Sequence, residues 1–202
     1  MSDLNVAIIS TGLGNIGSVY NMIKKVGGKP TLVTDPKELD RFQRIILPGV
    51  GTFDNGIARL KEYGFDVEIK RQAKKGKQIL GICLGMQMLM EGSEEGSLKG
   101  LGLIAGECKR FVASDYDIKV PHMGWNKILP EQHPLFEGLE ESRFYFVHSY
   151  YAQVPKENSL VSCLYGQKFT CGIISDNVIG LQFHPEKSHK FGMKLFSNFL
   201  GV

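Results

Sequence analysis

Residues 78–90 read Gln-Ile-Leu-Gly-Ile-Cys-Leu-Gly-Met-Gln-Met-Leu-Met. The apolar run Ile79, Leu80 and Ile82 has the composition of the end of a buried strand, and a Met/Leu-rich helical pattern follows at once. Cys83 stands between Gly81 and Gly85, which makes a Gly-x-nucleophile-x-Gly elbow with cysteine in the serine's place. A nucleophile on a sharp strand-to-helix turn has strained torsions, and its neighbours must be small for the helix to pack close. The turn also aims the sulfur at a helix N-terminus, where free N–H groups and the positive dipole end favour a thiolate and stabilise an oxyanion. The same short stretch also fits a buried structural cysteine beside a tight turn, so the rest of the chain decides.

Working upstream, residues 6–10 (Val-Ala-Ile-Ile-Ser) form a continuous apolar run, typical of a strand buried on both faces of a parallel sheet. Residues 12–15 turn the chain, and Ile16, Val19, Tyr20, Ile23 and Val26 follow at helical spacing. Gly27-Gly28 ends that helix and residues 30–33 begin a second strand. The pattern Gly12-x-Gly14-x-x-Gly17 resembles a dinucleotide fingerprint only superficially, because Asn15 sits inside it and Asp35 only approximates the acidic position; no cofactor is expected. Residues 44–47 read as a third strand closed by Pro48-Gly49-Val50-Gly51, whose two glycines let backbone N–H groups approach a ligand. Ile57, Leu60 and Tyr63 predict a helix, and residues 67–75 predict another before the elbow strand. This alternation predicts an α/β fold with a mainly parallel central sheet flanked by helices. Ligands gather beyond the carboxyl ends of such strands, where both Cys83 and the 48–51 loop lie.

Past Gly92 the pattern changes. Short strand-like segments occur at 108–112, 125–129, 144–148, 160–164, 170–174 and 178–183, with turns at Tyr165-Gly166 and Asp176-Asn177. They predict antiparallel strands, added to the sheet or forming a small second layer. Phe191, Leu195, Phe196 and Phe199 predict a closing amphipathic helix over 191–200. No repeat or linker divides the chain, so residues 1–202 are read as one domain.

A hydrophobic content of 43% and a charged content of 22% belong to an ordinary soluble globular protein. The net charge of +3 is too small to argue for nucleic acid. The cluster Lys70, Arg71, Lys74, Lys75 and Lys77 reads as the solvated face of a helix. A polar start without a secretory signal, and no apolar run of membrane-spanning length, predict a soluble cytoplasmic protein with no membrane partner. Cys83, Cys108, Cys163 and Cys171 lack Cys-x-x-Cys spacing and read as free thiols rather than disulfides or a metal site.

A cysteine nucleophile needs a base, and the base needs an orienting group. His133 and His189 lie in polar contexts and read as bystanders; His122 and His148 lie among apolar and aromatic residues and read as hydrogen-bonded structural histidines. His184 differs. It ends the run Ile179-Gly-Leu-Gln-Phe183 and precedes Pro185 and Glu186. Pro185 biases His184 toward an extended conformation, in which residues two apart point the same way, so Glu186 can reach one imidazole nitrogen while the other faces the thiol. Cys83, His184 and Glu186 would then form a Cys-His-Glu triad.

Gly-Ile-Cys83-Leu-Gly-Met-Gln87, Pro48-Gly-Val-Gly51 and Gln-Phe-His184-Pro-Glu186 together resemble the class I (triad) glutamine amidotransferases, over essentially the whole chain. The resemblance implies a flavodoxin-like fold with added antiparallel strands in the C-terminal half. It also implies attack of Cys83 on the side-chain amide of L-glutamine, with His184 carrying a proton to the departing ammonia and Glu186 holding His184. Backbone N–H groups of Gly49, Val50, Gly51 and Leu84 would form the oxyanion hole. Gly49, Gly51, Gln87, His148, Ser149 and Tyr150 would contact the substrate.

More narrowly, Gly14-Asn15, residues 121–126 (Pro-His-Met-Gly-Trp-Asn), 145–149 (Tyr-Phe-Val-His-Ser) and 184–188 (His-Pro-Glu-Lys-Ser) resemble one branch of that family. Its members are glutaminase subunits of histidine biosynthesis that form a heterodimer with a (β/α)8-barrel cyclase/synthase subunit. That likeness puts Asn15, Trp125, Tyr145 and Lys187 at the partner interface and ammonia passage. Ser10-Thr11-Gly12 departs from the branch's usual residues, and residues 143–148 and 187–193 also resemble a paralogous group that amidates bacterial surface sugars. The intact triad and oxyanion loop weigh against a non-catalytic partner-binding subunit, and the histidine-pathway branch is the preferred reading.

Overall fold

A computed structural model of the chain describes residues 4–116 and 118–201. The first half alternates β1 (Asn5–Ile9), α1 (Ile16–Lys25), β2 (Lys29–Val33), a 3-10 turn at Pro36–Arg41, β3 (Arg44–Gly49), α2 (Phe53–Glu62), α3 (Phe65–Lys74), β4 (Gln78–Cys83) and the short α4 (Leu84–Leu89). The second half is strand-rich: β5 (Gly92–Ser93), β6 (Glu107–Arg110), α5 (Ala113–Tyr116), β7 (His122–Pro130), β8 (Arg143–His148), β9 (Tyr150–Gln153), β10 (Ser159–Tyr165), β11 (Gln167–Ser175), β12 (Val178–Leu181) and α6 (His189–Leu200).

One mixed sheet runs β2-β1-β3-β4-β12-β11-β10-β7-β8, with β5, β6 and β9 joined beside β11. The strands from β2 to β12 pair in parallel, and those beyond β12 along this path pair antiparallel. This is the predicted arrangement, and the antiparallel strands extend the main sheet instead of forming a separate layer.

The apolar runs are continuous because both faces of the parallel strands are covered. Val6 and Ile8 of β1, Ile46 of β3 and Leu80 and Ile82 of β4 share one core with α1 and α6, through Val19, Ile23, Leu195 and Phe196. The alternate residues Ala7, Ile9, Ile45, Leu47 and Ile79 join the other core with α2, α3 and α4, through Ile57, Leu60, Ile69 and Leu89. Strand side chains alternate between faces, so one sequence run feeds both cores.

Several boundaries differ from those expected. Pro48 and Gly49 remain in β3, so the loop proper is Val50-Gly51-Thr52. The helix after Cys83 ends at Leu89, within a residue of the quoted stretch's end, and the chain then turns into β5. Lys77 is not on a solvated helix face: it is buried, and its ammonium donates to the carbonyls of Leu39 and Asp40. The rest of that basic cluster is partly neutralised, Arg71 by Asp40 and Glu68 and Lys75 by Asp40. All four cysteines are free and buried. Among the described residues, no helix is long and apolar enough to cross a membrane.

Candidate active site

Cys83 closes β4 with φ 55° and ψ −112°, in the positive-φ region that residues with a side chain avoid. Holding a non-glycine residue there costs about 1–3 kcal/mol and persists only where surrounding packing enforces it. The flanking glycines supply that packing. A Cβ on Gly85 would lie 1.9 Å from the carbonyl oxygen of Leu47, and one on Gly81 would lie 2.7 Å from Leu89 Cδ1. The elbow is thus wedged between β3 and α4 with no space for any larger residue. Gly49 sits beside it, paired in register with Cys83, and a Cβ there would touch Leu84 and Gly85 at 3.0 Å.

β12 runs parallel to β4 with Leu181 opposite Ile82, so the next residues of the chain emerge beside Cys83. Gln182 is fully buried and donates from Nε2 to Cys83 Sγ at 3.8 Å, while its Oε1 accepts from Gln87 Nε2 at 3.1 Å. His184 and Glu186 are joined by a 2.8 Å contact from Nδ1 to Oε1, both side chains 2% exposed. Glu186 does not reach His184 by strand alternation. The chain enters a 3-10 turn at Pro185–Lys187 directly after His184, and that turn brings the carboxylate back.

The backbone of His184 is clamped on both sides. Its N–H donates to the carbonyl of Tyr145 at 2.9 Å, and its carbonyl accepts from Ser188 Oγ at 2.6 Å. The same Ser188 oxygen accepts from the Tyr145 N–H at 3.1 Å, tying β8 to the turn. His184 Nε2 is buried and faces the Cys83 side of the cavity without a well-formed hydrogen bond. Burial alone would lower the imidazole pKa, but the neighbouring Cys83 sulfur and Glu186 carboxylate outweigh it and raise it to about 9. The ring therefore keeps its proton at neutral pH.

A cavity of about 350 Å³ opens over these groups. Of the residues singled out in the sequence, Val50, Gly51, Cys83, Leu84, Gln87, His148, Ser149, Tyr150, His184 and Lys187 all line it. Gly49 and Glu186 are not in its lining; Gly49 pairs with Cys83 across β3 and β4, and Glu186 is hydrogen-bonded to His184. Pro121 and Val147, from the 121–126 and 145–149 stretches, line it too, as does Glu95, to which nothing in the sequence drew attention. Glu95 Oε2 accepts from the N–H of Phe53 at 2.8 Å, holding the start of α2 where the Val50–Thr52 loop ends.

Beside the cavity lies a second cluster. Trp125 is 45% exposed and Met123 is 61% exposed on β7. Trp125 meets Tyr145 edge-on at 6.2 Å, and Lys187 Nζ stands 5.9 Å from the centroid of the Tyr145 ring. His189 was expected to be a bystander, yet its ring stacks on Trp125 at 5.5 Å with 6° between planes. Half-buried Asn15 precedes α1, in a turn where a Cβ on Gly14 would touch Pro48 and Gly49 at 3.3–3.4 Å. The residue before Asn15 thus packs against the end of β3, just ahead of the Val50–Thr52 loop. His133 caps the 3-10 turn Pro134–Phe136 and has no part in the site.

The chemistry that this arrangement allows is attack by a cysteine at an elbow, with a protonated, carboxylate-held imidazole across the cavity. A family model, glutamine amidotransferase class-I, matches residues 7–201, and the chain belongs to that family of enzymes. It is 51% identical over 200 residues to the imidazole glycerol phosphate synthase subunit HisH 2 of Pseudomonas aeruginosa, covering 96% of this chain and 98% of that one. It is 48% identical over 199 residues to the subunit of the same name from Methanococcus maripaludis, with 96% and 98% covered. Among solved structures it resembles that of PurLQS from Thermotoga maritima, with TM-score 0.77 and 23% identity over 100% of this chain and 99% of the other. A glutamine amidotransferase from Thermotoga maritima gives TM-score 0.63 at 19% identity, with 100% and 85% covered. These two likenesses bear on the fold, which is that of class I amidotransferases.

Proposed function

We propose that this chain is the glutaminase subunit of an imidazole glycerol phosphate synthase, a cytoplasmic enzyme of histidine biosynthesis. It acts as one amidotransferase unit in a heterodimer with a HisF-like (β/α)8-barrel subunit. The observation that carries the reading is the convergence of β4 and β12, by which Cys83 and His184 line one cavity with Glu186 hydrogen-bonded to the imidazole. The near full-length likeness to subunits named for that synthase supports the choice of pathway.

In this mechanism the proton of Cys83 resides on His184, and the thiolate attacks the side-chain carbonyl carbon of L-glutamine. The amide oxygen becomes an oxyanion held by backbone N–H groups of Leu84 and of Gly49, Val50 and Gly51. One such donor typically lowers the barrier by about 3 kcal/mol. The C–N bond breaks as His184 passes its proton to the leaving nitrogen, releasing ammonia and leaving a γ-glutamyl thioester on Cys83. Neutral His184 then takes a proton from water; the hydroxide attacks the thioester, the C–S bond breaks, and glutamate leaves. Glu186 keeps Nδ1 engaged throughout. Gln87, Ser149 and Tyr150 hold the substrate, and ammonia leaves past Tyr145 and Lys187 toward the partner. Asn15 and Trp125 take part in docking.

The test separates release of ammonia from its use. In the complex with the synthase subunit, Cys83→Ala should abolish glutamine-dependent synthesis and leave synthesis from ammonium salts largely intact. Equal loss of both in a folded, partner-bound variant would sink the division of labour. Amidation of a sugar acceptor, with no imidazole glycerol phosphate formed, would move the chain to the surface-sugar paralogues.

A further inference from the structure

We infer that His122 is a positioning residue for glutamine binding: its hydrogen bond to His148 holds the His148–Tyr150 edge of the cavity in its substrate-receiving form. The inference rests on the glutaminase reading above. β7 and β8 pair with His122 directly opposite His148, and both imidazoles are buried. Three contacts in series, from Asn126 through His122 and His148 to Tyr150, fix which nitrogen carries each proton. His148 Nδ1 lies 2.7 Å from the Tyr150 carbonyl oxygen, which only accepts, so Nδ1 bears the hydrogen. Neutral His148 then offers a lone pair at Nε2, 2.9 Å from His122 Nδ1, which must donate. His122 Nε2 in turn accepts from Asn126 Nδ2 at 3.4 Å. Asn126 also donates to the Leu164 carbonyl at 2.9 Å and accepts from the Lys127 N–H at 2.8 Å.

Every atom of the series has one consistent role, and all the hydrogens point toward Tyr150. Burial keeps both rings neutral, lowering His122 to about 4 and His148 to about 3. His122 stacks on Phe146 at 4.7 Å and on Tyr165 at 4.0 Å, each within 25° of parallel, so the ring cannot swing away.

The last bond of the series arches over Ser149, whose carbonyl accepts from the Phe111 N–H at 3.0 Å. Ser149 and Tyr150 both line the cavity. Without a donor at His122, His148 would be left with a buried unpaired acceptor. Its ring could then shift the hydrogen to Nε2, which would bring the Nδ1 lone pair against the Tyr150 carbonyl oxygen and push that edge apart. Cys83 and His184 stand on β4 and after β12, outside this series. The effect should therefore fall on substrate binding more than on turnover.

His122→Phe keeps a flat ring for the stack and removes the donor; His122→Asn restores an N–H close to the position of Nδ1. In glutaminase assays of the complex, His122→Phe should raise KM for glutamine about tenfold, the scale of one unsatisfied buried group, with kcat changed by less than about threefold. His122→Asn should recover most of that loss. An unchanged KM, or a fall in kcat alone, would overturn the inference. A second readout needs neither partner nor turnover: the 15N spectrum of His148 in the free wild-type chain must show the Nδ1–H tautomer, and an Nε2–H signal would overturn it. A wild-type complex that failed to hydrolyse glutamine would instead remove the functional reading, and the spectrum would still judge the hydrogen-bond series.

Discussion

Replacing Ser188 by alanine removes one oxygen that serves two backbone groups. Its hydroxyl donates to the His184 carbonyl at 2.6 Å and accepts from the Tyr145 N–H at 3.1 Å, and Ser188 has no exposed surface. The variant therefore leaves the Tyr145 N–H without this partner, at about 1–3 kcal/mol for a buried unpaired group, while the His184 carbonyl still accepts from the Lys187 N–H at 3.1 Å. The space vacated by one hydroxyl is too small for a water, whose share of liquid volume is about 30 Å³. A destabilisation of about 1–3 kcal/mol follows, which lowers Tm by about 2–12 °C in a chain of this size. The clamp also sets where His184 stands relative to Cys83, and loss of alignment of a catalytic base costs about tenfold or more in rate. Thermal unfolding of the free chain and glutaminase turnover of the complex together test both halves. A variant with wild-type Tm and wild-type turnover would refute the argument that Ser188 positions the base.

Gly85→Ala should be far more damaging than Gly51→Ala. The first drives a Cβ to 1.9 Å from the Leu47 carbonyl oxygen and should cost about 3 kcal/mol or more; the second meets no atom within 4 Å and carries only the backbone penalty of φ +109°, about 1–2 kcal/mol. Urea denaturation midpoints give the ranking, and equal losses would contradict it. With His184 raised to about 9 by Cys83 and Glu186 against the effect of burial, turnover should decline as pH rises past about 9 and the imidazolium is lost. Glu186→Gln removes one of the influences holding the proton, so that alkaline limb should move to lower pH, with a milder loss of rate than His184→Ala; a limb at unchanged pH would count against Glu186 as the orienting group. Docking of the partner and its nucleotide should activate glutaminase mainly in turnover, since the oxyanion forms after glutamine binds, and a hundredfold activation corresponds to about 2.7 kcal/mol. Steady-state assays of the free chain and the liganded complex would contradict this if both ran at one rate.

The parts of the fold legible in the sequence were those whose pattern is local. Val6 to Ile9 and Ile79 to Ile82 are continuous apolar runs because two helical layers cover them, and the glycines around Cys83 are dictated by contacts within a few ångströms. What stayed hidden depends on distant partners. Tyr150–Gln153 carries no clean alternation because it pairs with β6 on one side and touches β11 on the other. Glu95 looks like one more surface acid until α2 offers it the Phe53 N–H. Ser188 reads as a loop residue until β8 arrives beside it. Gln182 did have a signal: its place two residues before His184, just past the end of a strand parallel to the elbow strand, sets it next to the thiol. The reach of Glu186 to His184 was foreseen, though the 3-10 turn that achieves it was not.

The position of β12 also bears on how the enzyme is made. The thiol is laid down early in synthesis, at the end of β4, but Gln182, which touches it, follows 99 residues later, and His184 later still. The strand leading to both must enter between β4 and β11, the one already parallel beside it and the other made just before. Pairings across so long a loop come late, after local helices and hairpins have formed. In the proposed mechanism a nascent chain that has reached Asn177 would hold Cys83 without its base, and His184 would arrive in the same step that seats β12 between β4 and β11. On the proposed mechanism, the thiol would become reactive only once β12 has entered the sheet beside β4.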